Sequence, residues 1–325
     1  MEVSIIMPVY NETDLLKRSI SSIRNQTFQD WELIIVDDGS KDDVKRICES
    51  YVKGDSRIHF YGQKHSGQAN ARNLGLSLAQ GNYIAFADAD DVMHPQMLEQ
   101  LYANIVSTGR SIAVCGFKPV KQLPEYPVYE KCNCKVIDVF KDSKTVKSAK
   151  IKDNVYLWNK LYCRSLFEDI RFAAGRFYED LAIMHQLFAK AGEISYNPNV
   201  LYYYYRNPHG TIDTVDEKKI KDCLWAYGER IRFYVQGGYK KDLNHVTHSF
   251  LYKAYALYNI VEEKDVGDKT KIKKIIRRRV KNTFFTYDLV KFLPIHGKVR
   301  YWAFVYYPVV FEADLWRRAW CKRFR

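Results

Sequence analysis

No apolar run in this chain reaches the roughly 18 residues that a membrane-spanning helix needs, and no basic segment precedes the first apolar one. A secreted or membrane-spanning protein is therefore not expected. The 7 cysteines are odd in number and irregularly spaced, which fits reduced thiols in the cytosol rather than a disulfide framework. Cys132-Asn133-Cys134 has no second Cys/His pair at zinc spacing, so a structural zinc is not expected. Internal repeats, a glycine- and lysine-rich triphosphate loop near the N-terminus and recognised nucleic-acid motifs are also missing.

What is present suffices for one large domain or two ordinary ones: 325 residues, 47% of them hydrophobic. The 25 tyrosines beside 51 Lys and Arg suggest a surface that meets sugars, lipid headgroups or nucleic acid. The charge is unevenly placed. Of 51 basic and 38 acidic residues, 17 and 5 lie from Lys264 onward, so the net +13 belongs almost wholly to the tail.

The first 117 residues alternate short β-branched runs with helical patterns, as βαβ units around a mostly parallel sheet do. Strands are expected at Val3–Val9, Leu33–Val36, Ile58–Tyr61, Tyr83–Ala87 and Ile112–Phe117. Leu15, Leu16, Ile20 and Ile23, and later Val44, Ile47 and Tyr51, keep roughly helical spacing between them. Residues 118–153 lose the alternation and read as an irregular excursion with a hairpin near Val136–Val139. Asn154–Phe167 and Asp180–Ala191 read as helices, Val200–Arg206 as an aromatic strand, and the chain from about Asp216 as long helices without further sheet.

In such sheets ligands bind beyond the carboxyl ends of the strands. Polar clusters stand at those ends: Tyr10-Asn11-Glu12, Asp37-Asp38-Gly39-Ser40 and Asp88 to Asp91. The last is the densest, with three carboxylates in four positions after the apolar run ending at Ala87. Crowded carboxylates repel unless a hard cation sits among their oxygens, and Mg²⁺ or Mn²⁺ takes one or two such ligands together with substrate phosphates. A solvated turn with a helix cap is the plainer reading of an isolated Asp-x-Asp. Asp37 and Asp38 suit either hydrogen bonds to a base or ribose, or a turn and cap. Gly67 to Gly75 reads as a glycine loop entering a helix, with Arg72 in the second turn, where a guanidinium favours phosphate unless it is merely paired or solvated. Glu179-Asp180 opens a helix, either as caps or as a general base.

Six segments occur in one order: Ile6-Met7-Pro8-Val9-Tyr10-Asn11-Glu12, Val36-Asp37-Asp38-Gly39-Ser40, Gly67 with Ala71-Arg72-Asn73, Phe86 to Asp91, Trp158-Asn159-Lys160-Leu161 and Glu179-Asp180. Together they resemble the metal-dependent inverting glycosyltransferases of family 2, over roughly residues 1 to 206. The resemblance implies the GT-A fold, a Rossmann-like α/β sheet flanked by helices. It implies that Pro8, Tyr10, Glu12 and Asp38 line a nucleoside pocket with Asp37 close behind, and that Arg72 lies near the diphosphate. Asp88, Ala89 and Asp90 match the Asp-x-Asp motif, with Asp90 holding Mg²⁺ or Mn²⁺ and Asp88 contacting ribose or a metal-bound water. Asp180 is the implied base and Glu179 helps to place it, while Trp158 and Lys160 fall to the acceptor or sugar pocket, with Trp158 equally suited to the core. The implied division is a catalytic domain over 1–215, with a nucleotide-binding half (1–117) and an acceptor half (118–215), and a basic helical region over 216–325. The implied activity is transfer from a UDP-sugar to a saccharide or lipid-linked acceptor in cell-surface polysaccharide synthesis.

His209, in the turn Arg206-Asn207-Pro208-His209-Gly210-Thr211, is a further candidate near metal or phosphates. A sugar nucleotidyltransferase and an RNA-binding protein acting through the tail are the alternatives. The missing triphosphate loop counts against the first and the missing nucleic-acid motif against the second, so no nucleic-acid partner is expected. In the tail, Lys269 to Lys281 interleaves cations with Ile272, Ile275, Ile276 and Val280, and Trp316, Trp320 and Phe324 recur every four residues beside arginines and a lysine. Such faces suit helices lying on an anionic membrane, hence a cytoplasmic protein peripheral to the inner face of the cell membrane; a helix packed on the catalytic domain is the alternative.

Overall fold

Strands β1 (Val3–Val9) and β2 (Trp31–Asp37) are buried along their whole length, as continuous apolar runs are when helices cover both faces of a parallel sheet. They belong to a nine-stranded sheet in the computed structural model, which describes residues 1–41, 43–122, 125–129, 134–141, 153–206, 215–264 and 266–312. The remaining strands are β3 (Ile58–Gly62), β4 (Tyr83–Phe86), β5 (Val92–Met93), β6 (Ile112–Val120), β7 (Lys135–Asp138), β8 (Lys160–Cys163) and β9 (Glu193–Tyr205). Their order is β3-β2-β1-β4-β8-β6-β9-β5, with β7 also on β9. Strands β1 to β4, β6 and β9 run one way; β5, β7 and β8 oppose them.

Alternate residues of β1 serve opposite layers. Val3, Ile5, Met7 and Val9 join Leu16, Ile20 and Ile23 of α1 (Leu16–Arg24) and Leu98 and Leu101 of α4 (Met97–Thr108), with Val44 and Ile47 of α2 (Val44–Gly54) in the same layer. Ile6, Ile34 and Val36 face Ala71 and Leu76 of α3 (Gln68–Leu78) and Ile183 and Leu187 of α5 (Glu179–Ala191). Each such buried aliphatic side chain contributes roughly 1.5–3 kcal/mol. The helix α3 lies so close to β1 that a Cβ at Gly75 would stand 2.4 Å from Ile6 Cγ2. That approach brings Arg72, one turn earlier, over the end of the sheet.

The expected strands are present, with longer bounds for β2, β6 and β9, whereas Asn154–Phe167 is not a helix. It contains β8, antiparallel between β4 and β6, followed by a 3-10 turn at Arg164–Phe167. Leu161 and Tyr162 enter opposite core layers, which the strand geometry requires and a helix would not allow. Among the described residues Val136–Val139 pairs in no local hairpin either: β7 pairs with β9 from Glu193 to Tyr196.

The chain divides into two compact units, Met1–Asp213 and Thr214–Arg325. The second comprises α6 (Glu217–Gln236), α7 (Lys240–Glu263), α8 (Lys269–Thr286), α9 (Ile295–Tyr306) and α10 (Pro308–Glu312). Asp216 and Asp268 cap α6 and α8 through Lys219 N (2.8 Å) and Lys271 N (2.9 Å). Ile272, Ile276, Val280 and Phe284 of α8 are buried on a helix that packs against α6 and α7. The stripe expected to face a membrane is therefore core, apart from the half-buried Ile275. Trp316, Trp320 and Phe324 lie outside the described residues.

Candidate functional site

The chain leaves β1 toward β2 and β3 on one side, while β4 pairs on the other, so the strand order reverses at β1 and a crevice opens beyond the carboxyl ends of β1, β2 and β4. Each of the three polar clusters lies at one of those ends.

Beyond β2, both carboxylates are tied into their own loop. Asp37 accepts from Ser40 N (3.0 Å) and Ser40 Oγ (2.5 Å), and Asn11 joins the turn by donating its N–H to Ser40 Oγ and accepting from Lys41 N, each at 2.9 Å. Asp38 accepts from Gly67 N (2.8 Å), Ser66 N (2.9 Å) and Gln63 Nε2 (2.6 Å), with His65 Nδ1 2.9 Å from the same carboxylate. Gly39 adopts φ +77°, and a Cβ there would press within 2.8 Å of His65 N. The His65 ring is stacked on Tyr10 at 4.3 Å. Pro8 is buried in β1, Glu12 accepts from Leu15 N (3.0 Å), and Tyr10, 43% exposed, offers the open face of this group. His65 and Gln63, which the sequence reading passed over, become part of the site because the β3–α3 loop folds onto Asp38.

Beyond β4, the arrangement differs. The buried guanidinium of Arg72 donates to Asp88 Oδ1 at 3.1 Å and to Glu179 Oε1, joining positions 107 residues apart. Asn73 helps by exchanging hydrogen bonds with the Phe172 backbone (2.8 and 3.0 Å), which anchors the segment leading to α5 on α3. At the start of α5, Tyr178 has φ +62°, a left-handed conformation uncommon for a non-glycine residue. Burial raises the Glu179 carboxyl to about 7 against the pull of Arg72, with Asp180 adding to the rise. Burial also raises Asp180, opposed by Arg72 and by the hydrogen bond from Leu181 N (2.6 Å).

The Asp88–Asp91 turn is held from several sides. Asp88 O and Asp90 O accept from Ser19 Oγ (3.1 Å) and Arg18 Nη2 (2.8 Å), and the Asp88 N–H donates to Tyr202 Oη (3.2 Å). Asp91 is almost fully buried and accepts from Tyr205 N at 2.7 Å. Burial pushes it up to about 9, helped by the charges of Asp88 and Asp90. Asp91 thus fastens the turn to the end of β9, while Asp88 and Asp90 stay partly exposed and Ala89 packs into the core.

Trp158 and Lys160 are both buried. The Lys160 amine donates to Asn154 Oδ1 and Asn159 Oδ1, each at 2.8 Å, and to Tyr156 O; its three protons thus face three protein oxygens. Burial pushes this amine down to about 7, opposed by the nearby Cys115 and Asp180. Trp158 is stacked between Tyr156 (4.8 Å) and Tyr202 (4.4 Å), with Tyr204 nearly parallel at 5.9 Å. The open end of the stack is Tyr156, 39% exposed, whose hydroxyl is raised by burial and then by the charge of Asp180. Tyr204 is raised to about 12 by burial and then by Asp91, Asp90 and Asp88. The aromatic wall therefore runs between the two carboxylate groups. Its run of tyrosines was visible in the sequence, but not the 46-residue separation that the fold closes between Tyr156 and Tyr202.

Among the described residues no three His, Cys, Asp or Glu side chains converge as a complete metal site, and His209 lies outside those residues. Two partly exposed carboxylates, Asp88 and Asp90, nevertheless suit Mg²⁺ or Mn²⁺, which are held by one or two carboxylates with the remaining ligands from phosphates and water.

A family model described as glycosyl transferase family 2 matches residues 4–171. The uncharacterized glycosyltransferase EpsJ of Bacillus subtilis is 31% identical over 313 residues, 88% of each chain. Glycosyltransferase GlyA of Streptococcus pneumoniae is 30% identical over 249 residues, 73% of this chain but 35% of that protein. Among solved structures, S. aureus TarS 1–349 in complex with UDP-GlcNAc is similar with a TM-score of 0.62 at 17% identity, covering 100% of this chain and 93% of that one. The mannosyltransferase PcManGT from Pyrobaculum calidifontis, in complex with GDP-Man and Mn²⁺, is similar with a TM-score of 0.57 at 14% identity, covering 98% and 88%.

Proposed function

The chain belongs to glycosyl transferase family 2, and from that membership we propose that it transfers a sugar from a UDP-sugar to a saccharide or lipid-linked saccharide in cell-surface polysaccharide synthesis, by a single inverting displacement. Membership decides between glycosyl transfer and nucleotidyl transfer; the choice of UDP is supported by the ligands in the TarS structures. One observation carries the site assignment: Arg72 draws the Asp88 turn and the Glu179–Asp180 helix start into one crevice.

In this reading Tyr10 and the loop around Asp38 receive the nucleoside, with Asp37 fixing the turn behind it, and Pro8 and Glu12 shape the entry to α1. Asp88 and Asp90 hold a Mg²⁺ or Mn²⁺ ion, and Arg72 sets their position beside the diphosphate. The cation, when bound, neutralises charge on the departing diphosphate. Asp180 takes the proton from the acceptor hydroxyl as its oxygen attacks the anomeric carbon, and the nucleoside diphosphate departs from the opposite face. Glu179, anchored by Arg72, sets the position of Asp180, and Lys160 and Trp158 hold Tyr156, on whose open face the acceptor sugar stacks. A cytoplasmic location against the inner face of the membrane goes with a lipid-linked acceptor; among the described residues no helix is long and apolar enough to cross a membrane.

The experiment is release of UDP from UDP-sugars in the presence of lipid-linked saccharides, by the wild type and by Asp180→Asn. Turnover lost in the variant while UDP binding persists is the expected result, and turnover retained in Asp180→Asn contradicts the assignment of the base.

A further inference from the structure

Within the helical unit, α9 is anchored by one face and bare on another. Tyr301 and Phe304 are buried, Tyr301 stacked on Phe284 at 4.4 Å and Phe304 packed on Tyr255 and Tyr258. Ile295, Val299, Trp302 and Tyr306 follow at intervals of four, three and four, so they share the other face, and they are 81%, 50%, 48% and 41% exposed. Val309 and Val310 of α10 extend this surface, 81% and 50% exposed. A groove runs along it, lined by Val299, Trp302, Tyr307 and Val310 together with Lys298.

The charge beside this surface is mostly basic. From Asp288 to Glu312 the chain has Lys291, Lys298 and Arg300 against one acid at each end, and Asp288 pairs with Lys291 at 2.7 Å. Lys281 reaches from α8 to lie 4.9 Å over the Tyr306 ring, which itself stacks on Trp302 at 4.8 Å. Exposed aliphatic residues, Trp and Tyr together, and lysines at the edge are what the boundary of an anionic bilayer accommodates: rings at headgroup depth, aliphatic groups below, ammonium groups on lipid phosphates. A second copy fits less well, because a self-complementary contact would set the same lysines against each other. Residues 313–325 fit less well for the same reason, with five Arg and Lys against one Asp.

We propose that the Ile295–Val310 surface, rather than the basic helix α8, is where this protein meets the membrane, with an anionic lipid bilayer as its occupant. The proposal concerns the helical unit alone and stands apart from the reading of the sugar-transfer site. The test is flotation of the full-length protein with phosphatidylcholine vesicles containing about one third phosphatidylglycerol, compared with phosphatidylcholine alone. The wild type floats with the anionic vesicles; Ile295→Ser/Trp302→Ser binds them about tenfold more weakly or less at an unchanged melting temperature, and Lys298→Glu weakens binding to the anionic vesicles selectively. Equal flotation of all three proteins overturns the proposal. So does a wild type that stays off vesicles, whether it is a dimer that Ile295→Ser/Trp302→Ser dissociates, which assigns the surface to a second copy, or a monomer, which leaves residues 313–325 as the cover.

Discussion

Two acidic turns flank β1, and they use their carboxylates in opposite ways. Beyond β2, Asp38 is surrounded by donors from its own neighbourhood: two backbone N–H groups, the Gln63 amide and the His65 ring. Beyond β4, the carboxylates of Asp88 and Glu179 share one buried guanidinium, with Asp180 next to them. The first turn is a wall held by its own hydrogen bonds, with Asp38 surrounded by donors and Asp37 tied to Ser40 before any ligand arrives. The second is a group of like charges in which one cation, Arg72, holds both Asp88 and Glu179, the setting in which protonation and ligand binding change most. Carboxylates at strand ends mark a crevice; the source of their donors separates wall from chemistry.

The largest expected effect comes from removing that single cation. Arg72→Leu leaves the carboxylates of Asp88 and Glu179 without their partner and is expected to cost about 3–5 kcal/mol in denaturant unfolding, along with all activity. Asp180→Asn comes next: turnover is expected to fall roughly 10²-fold or more, while stability and UDP affinity hold, because only the proposed proton acceptor has gone. On the other turn, Asp38→Ala strands the N–H groups of Ser66 and Gly67 and is expected to cost about 1–3 kcal/mol, with weaker UDP binding following from a loosened loop. An Arg72→Leu protein as stable as Asp38→Ala would erase the contrast between the turns.

The smallest effect is a pH dependence. Glu179 is raised to about 7 and Asp180 is raised with it, so the folded pair gains a proton as pH falls toward and below 7. kcat/KM is therefore expected to rise with pH as the pair loses its proton and then level, falling about tenfold per pH unit on the acid side. Stability runs the other way: the folded state holds the proton more tightly than an unfolded Glu, so the favourable contribution present at low pH declines as pH rises to about 7. A flat rate profile from pH 6 to 8 would place the reacting proton elsewhere.

The strands β1, β2, β4 and the start of β6 were legible because buried strands are written as short apolar runs, and β3, buried only at Ile58, because it lies between two helical patterns. The polar clusters at their ends were legible for the same reason, since an acid cannot continue such a run. What was not legible depends on distant pairing. The strand β8 looks like any short amphipathic segment until β4 and β6 clasp it, and Asp91 looks like a solvated cap until Tyr205, 114 residues later, covers it. Likewise the apolar positions of α8 fitted a membrane face and a helical core equally well, and α6 and α7 decide for the core. Arg72 was read as a phosphate-side residue, and its link to Glu179 exists only in three dimensions.

The most direct test of the difference between the two turns is calorimetric titration of UDP with and without Mn²⁺, on the wild type and on Asp90→Asn. Binding that Mn²⁺ strengthens in the wild type, and that becomes indifferent to Mn²⁺ in Asp90→Asn, is the predicted result. UDP binding of equal strength with and without Mn²⁺ in both proteins would contradict the account and leave the Asp88–Asp91 turn with no part in metal-assisted binding.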